Sequence, residues 1–427
     1  MKQYITGLVF IMLAGIAGAQ TTATTFDVDG LKVIFRPTQK ETVSIAMYYR
    51  GGVMNYPAEK AGVEQLALAA ATTSGTKNYS VHDYKELSDE YGIDITGGST
   101  TDYGVISMDC INKYFTQGWK LFSDAIVNPV FDPAEFAAEK DKQLATIHRI
   151  ESSPEAMIEQ LTFKNVFKQS RYSTLPNGDE KSLRSLNADS VKSYYYNQLL
   201  NKNRMFLVVA GKISREELTQ KIKDAFSAIP SKPYTAPVYT DLVLSGDRLV
   251  ANSRAMATNY ISRVMNAPVL GSPDYPAFKL AITVLSSYMH YKLRTEKALS
   301  YAPGAKIKMM QVPYVSMYIS TTQPTPAVQG MLDAFDAVKE AKYNPAVLKD
   351  IKRGYKLENY KDMESSTTIV DNLGKAEILG SYKLEENLLA SVDNVDQADV
   401  TRVFSKYLTG SVWIYLGNEQ MAKEAFK

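Results

Sequence analysis

Apolar positions along this chain recur at two different periods. Short runs such as Leu31–Phe35, Val43–Tyr49, Gly104–Ile111 and Met205–Ala210 have the length and alternation of strands. Tyr114–Ile126, Ala188–Leu200, Arg215–Ala228, Pro276–Met289 and Ala327–Ala341 repeat at helical spacing. The stretch Ala61–Thr76 is rich in alanine, with Val63, Leu66, Ala67 and Ala70 on one helical stripe and Gly75 closing it. Just before it, the Val43–Tyr49 strand ends at Gly51-Gly52. Further helices are predicted over His82–Tyr91 and from Ala134 to about Glu151, and Ile93–Thr96 pairs with Gly104–Ile111.

The pattern then repeats. Pro230–Pro237 reads as a linker. Beyond it come a strand at Thr258–Ala267, the helix Pro276–Met289, strands at Ala305–Met310 and Tyr314–Ser320, and two helices separated by Asn344-Pro345. Asn128-Pro129 recurs as Asn344-Pro345, Val191 as Val400 and Gly211 as Gly417. These anchors return in the same order at nearly one offset, close to half the chain, which predicts a duplicated domain. Helices alternate with strand pairs, so each half is expected to be α/β (α+β), a mixed and largely antiparallel sheet packed with helices. The expected divisions are 1–19, 20–229, a linker at 230–244, and 245–427.

Composition narrows the classes. With 48 Lys+Arg against 46 Asp+Glu, the charge gives no footing for nucleic acid. Residues 1–19 join a lysine, an apolar run and Ala17-Gly18-Ala19, the pattern of a cleavable export signal. No later stretch reaches the about 20 apolar residues of a membrane span. The single cysteine, Cys110, excludes an internal disulfide and shares a strand face with Ile106 and Met108.

The strand, the Gly-Gly turn and the helix closed by Gly75-Thr76 resemble the first motif of the inverzincin metallopeptidases, the pitrilysin/insulinase/mitochondrial-processing-peptidase family. There the helix carries His-x-x-Glu-His, two zinc ligands on one face with a glutamate as base. Here those positions read Gln65, Leu66, Ala67, Leu68 and Ala69. Zinc takes imidazole, thiolate or carboxylate ligands. Gln65 is a poor ligand, Ala69 is none, and Leu68 cannot take a proton. The family's third ligand, a glutamate, falls close to Thr146, which does not replace it. Glu64 is adjacent but points about 100° away on the helix. The three histidines, His82, His148 and His290, stand in settings that suit surface or packing roles, and no nucleophile elbow is present.

A second feature resembles the family's Leu-Arg-x-Glu-Lys-Gly-Leu-Ala-Tyr. It reads Leu293, Arg294, Thr295, Glu296, Lys297, Ala298, Leu299, Ser300 and Tyr301, with Ala298 where the family has glycine. The resemblance implies that Arg294 and Tyr301 hold substrate backbone near a metal. It also implies paired two-domain chains in a clamshell, one of which lacks zinc. The expectation is a non-catalytic, peptide-orienting subunit of an exported heterodimeric zinc peptidase. This chain would bind no cofactor, the zinc would sit in a homologous partner, and the site would be the periplasm or outside the cell. The rival is a stand-alone peptide-binding or scaffold protein with the same fold.

Overall fold

The computed structural model describes residues 22–427; the predicted export signal lies outside them. The first half runs β1 (Thr24–Val28), β2 (Leu31–Pro37), β3 (Thr42–Arg50), α1 (Val63–Thr73), α2 (Val81–Tyr91), β4 (Asp94–Ser99) and β5 (Tyr103–Ile111). It continues with α3 (Phe115–Val127), α4 (Pro133–Ser152), α5 (Pro154–Val166), α6 (Glu180–Ser185), α7 (Ala188–Tyr194), β6 (Met205–Gly211) and α8 (Arg215–Phe226). The second half runs β7 (Asp247–Ser253), β8 (Asn259–Asn266), α9 (Tyr275–Met289), β9 (Gly304–Lys308), β10 (Tyr314–Thr321), α10 (Pro324–Lys339) and α11 (Ala346–Asp362). It closes with α12 (Ser366–Ile378), α13 (Lys383–Ser391), α14 (Gln397–Tyr407), β11 (Ser411–Gly417) and α15 (Glu419–Ala425).

The strands form two sheets, ordered β1-β2-β6-β3-β5-β4 and β7-β11-β8-β10-β9. Among the described residues only β2–β6 and β7–β11 pair in parallel; the other strand pairings are antiparallel, so both sheets are mixed in the predicted sense. On β5, Ile106, Met108 and Cys110 are buried together, and burial pushes the Cys110 thiol up to about 11.

The sequence reading assigned no element to α5, α12 or α13. Two of these helices cross between the halves. Ile369, Val370, Leu373 and Ile378 of α12 are buried against Ile34, Ala46, Tyr48, Phe206 and Val208 of the first sheet. The fit is close enough that a Cβ on Gly374 would lie 2.1 Å from Tyr48 Cζ. Glu377, buried at the end of α12, accepts from Lys32 Nζ at 2.7 Å and Arg50 Nη2 at 2.6 Å. In return α5 packs on β8 and β11. Its Ile158 joins one core with Val264, Tyr314, Val412 and Ile414. Burying each such side chain contributes roughly 1.5–3 kcal/mol, so neither sheet is complete without the opposite half.

Two buried polar groups fix the elements around α1. Glu64, in its first turn, is fully buried and ion-paired with Arg204, which is 1% exposed at the entry to β6. Tyr194 Oη donates to the same carboxylate oxygen at 2.8 Å, and Arg204 Nε donates to the Arg50 carbonyl at 2.9 Å. Burial opposes charge on the guanidinium, but the adjacent Glu64 outweighs it and raises the Arg204 pKa. The second group is Asp102, between β4 and β5. It accepts from Tyr172 Oη at 2.6 Å and from the Gln311 backbone N–H of the other half at 3.0 Å. Burial pushes its carboxyl from 3.8 up to about 6, against the pull of these two donors.

Each of these groups gives a measurable expectation. Arg204→Met strands a buried carboxylate and should cost about 3–5 kcal/mol, with Glu64→Gln in the same chain recovering most of it. Urea melts of the single and double variants check this, and single-variant losses under about 1 kcal/mol would contradict the buried pair. Asp102 binds a proton more tightly folded than unfolded, so its contribution falls as pH rises from about 4 to about 6 and is flat above. Asp102→Asn removes that slope. Its stability relative to the native chain should improve by up to about 3 kcal/mol between pH 4 and 7. Parallel melts with identical pH slopes would refute the assignment.

Candidate functional site

The degenerate motif lies where the sequence places it, on α1. Gly62 precedes the helix with a left-handed φ of 89°. The helix lies against β4 and packs on α4. Contact with the sheet is backbone to backbone, since a Cβ on Gly97 would sit 2.0 Å from the Leu68 carbonyl oxygen. Gln65 and Ala69 are both half-buried, one turn apart on the same face, while Leu68 is fully buried. The Ser99 backbone N–H at the end of β4 donates to Gln65 Oε1 at 2.7 Å.

On α4, buried Gln143 donates to the Gly62 carbonyl at 3.2 Å and to the Asn177 carbonyl at 2.9 Å, tying α4 to the start of α1. Thr146 Oγ1 donates back to the Lys142 carbonyl at 3.0 Å within its own helix.

These side chains do not fit zinc. The amide oxygen of Gln65 already accepts a backbone proton. Ala69 has no donor atom, Leu68 cannot act as a base, and the Thr146 hydroxyl is turned to its own helix. Among the described residues no group of three or more His, Cys, Asp or Glu is placed to hold a metal ion. The histidines stand elsewhere. His82 and His148 are exposed, each 3.8 Å from a glutamate, Glu86 and Glu180, and His290 Nε2 lies 3.2 Å from Arg294 Nη1. At these positions the side chains offer hydrogen-bonding groups and no zinc ligands.

The second feature forms one local unit. A π-helical turn, His290–Glu296, continues α9. It closes with the Leu299 N–H donating to the Leu293 carbonyl at 2.7 Å and the Lys297 N–H to the Lys292 carbonyl at 3.1 Å. Ala298 takes the left-handed conformation at φ 50°, so the turn survives with an alanine where a glycine would be unstrained. Leu293 is fully buried, wedged against Gly330 of α10, where a Cβ would meet it at 2.3 Å. That packing holds Arg294 at the surface, with its guanidinium carbon 4.2 Å above the centre of the Tyr301 ring. Tyr301 is 79% exposed. The structure therefore joins Arg294 to Tyr301, and no hydrogen bond links either to Gln65 or Thr146. Sequence reasoning missed Arg204 and Tyr194 behind α1; only the acidic residue beside the motif, Glu64, hinted at a buried partner.

Comparison with known proteins agrees with this geometry. Residues 32–175 match the model of Insulinase (Peptidase family M16), and residues 185–355 match that of the Peptidase M16 inactive domain. An uncharacterized zinc protease of Bacillus subtilis, YmxG, is 22% identical over 188 residues, which is 44% of this chain and 45% of that relative. Among solved structures, a protease from Helicobacter pylori superposes with a TM-score of 0.85 at 16% identity, covering 93% of this chain and all of that one. A peptidase M16 inactive domain from Pseudomonas fluorescens gives 0.83 at 18% identity, covering 93% and 98%. The periplasmic protease PqqL of Escherichia coli gives 0.76 at 14% identity, covering 98% of this chain but 49% of its own length. Among the described residues no helix is long and apolar enough to cross a membrane. The sequence matches and the two-sheet fold together identify this chain as a member of the insulinase (peptidase M16) family, one whose α1 lacks the motif's donor groups.

Proposed function

We propose that this chain is the non-catalytic subunit of an exported heterodimeric zinc peptidase, orienting peptides in the periplasm for a homologous partner that carries His-x-x-Glu-His and the zinc. The observation that carries the reading is the state of α1. Its packing on β4 and its tie to α4 are kept while Gln65, Leu68, Ala69 and Thr146 have lost every group the chemistry needs. A scaffold kept without its reaction fits a role in binding. β4 is an edge strand, with one side unpaired, and an extended peptide can add to such an edge through main-chain hydrogen bonds. Arg294 and Tyr301 add a rigid fork of donors and a phenol at the surface, suited to peptide carbonyls or a carboxylate. In the complex they would position the chain over the partner's metal, and orientation of this kind can account for several kcal/mol of a barrier.

The test is co-expression with a homologous chain bearing the intact motif, followed by peptide-cleavage assays. The Arg294→Ala, Tyr301→Phe double variant should still form the complex and should lower kcat/KM by about 10–100-fold. Full activity of that complex would remove the proposed role. A chain that ignores such a partner and binds peptides alone would favour the stand-alone binding protein.

A further inference from the structure

We propose that a cavity of about 370 Å³ in the second half binds a small organic cation through a primary ammonium group. The cavity lies among α9, α11, α12 and α13. It stands in the second half where the degenerate motif stands in the first. α9 takes the place of α1 and α11 that of α4, and Asn359 is as far from the start of α11 as Thr146 is from the start of α4.

This pocket holds buried polar groups with nothing to bind. Asn359 lines it, is 6% exposed, and its buried Oδ1 has no hydrogen-bond partner. The buried Tyr355 hydroxyl has none either. Buried polar groups are normally satisfied, so an unpartnered pair in one cavity points to a missing donor.

The charges say which donor. Lys279 sits with its ammonium 4.2 Å above the Tyr355 ring. Glu385 and Asp362 face the same space, and Glu358 adds a third carboxylate at the exposed rim. Among the described residues, none of these carboxylates closes an ion pair with Lys279 or with any other group. The other lining cation, Lys375, is already held by Asp371. The pocket therefore carries excess negative charge. Burial lowers the Lys279 pKa and raises that of Glu385, and the charge of each partly offsets the shift of the other.

A bare metal ion is a poor match, because these carboxylates do not converge into a metal-binding group. An ammonium on a short carbon chain suits the space better. It brings three donors for Asn359 Oδ1 and the carboxylates, and its methylenes can lie on Tyr275, Met309 and Leu379. The ammonium could belong to a free amine or to a lysine side chain of a peptide. This proposal is independent of the role assigned to Arg294 and Tyr301, and its test uses no protease partner.

Isothermal titration of the full mature chain at pH 7 with 1,5-diaminopentane should give one saturable site. The uncharged 1,5-pentanediol of equal length should give none. Glu358→Gln with Asp362→Asn should weaken diamine binding at least about 10-fold, and Tyr355→Phe, which alters no charge and little volume, should weaken it measurably with an unchanged melting curve. A lysine tripeptide blocked at both ends separates the sources. Displacement of the diamine by it assigns the site to peptide side chains, and failure to displace assigns it to free amines; both outcomes support cation recognition. Equal heats from diamine and diol, or diamine binding undiminished in both variants, would overturn the proposal.

Discussion

Each sheet in this protein is roofed on one face by a helix that belongs to the other half of the chain. α12 closes the first sheet over Tyr48 and Phe206, and α5 closes the second beside Tyr314 and Ile414. Tyr48 and Phe206 stack with centroids 5.0 Å apart under α12, and Glu377 is held there by Lys32 and Arg50. The exchange means that the halves cannot drift apart without exposing two apolar sheet faces. It places the edge strand β4 and the Arg294–Tyr301 pair in one framework.

Within that framework α1 is held on both sides. α1 still meets β4 at Gly97 without room for a side chain, and it is pinned from behind by the Glu64–Arg204 pair. Gln65 accepts a hydrogen bond from the Ser99 N–H. The substituted residues are thus integrated into the fold, and Leu68 is part of the core. Restoring chemistry here would need new ligands on both α1 and α4, together with release of the Gln65 bond.

Much of this was legible in the sequence. The periods of Val43–Tyr49, Met205–Ala210 and Pro276–Met289 reveal those elements because alternation and helical spacing are written within each segment, and the Asn-Pro, Val and Gly anchors expose the duplication. The motif positions could be numbered because the Gly-Gly turn and Gly75 frame α1. The exchanged helices were not legible. The apolar faces of α5 and α12 are complementary to strands far away in sequence, and nothing in their local spacing names that partner. Arg204 and Asn359 were invisible for the same reason. Each is an ordinary polar residue in the chain and becomes informative only when the fold buries it, beside Glu64 in one case and facing an acidic cavity in the other.

This chain keeps the peptidase scaffold, while its motif positions lack the atoms to hold zinc. The test is the metal content of the purified chain, after equilibration with excess zinc and passage through a desalting column. The account predicts far less than one zinc per chain, unchanged by Gln65→Ala. One tightly retained zinc per chain, lost in the Gln65→Ala variant, would contradict it.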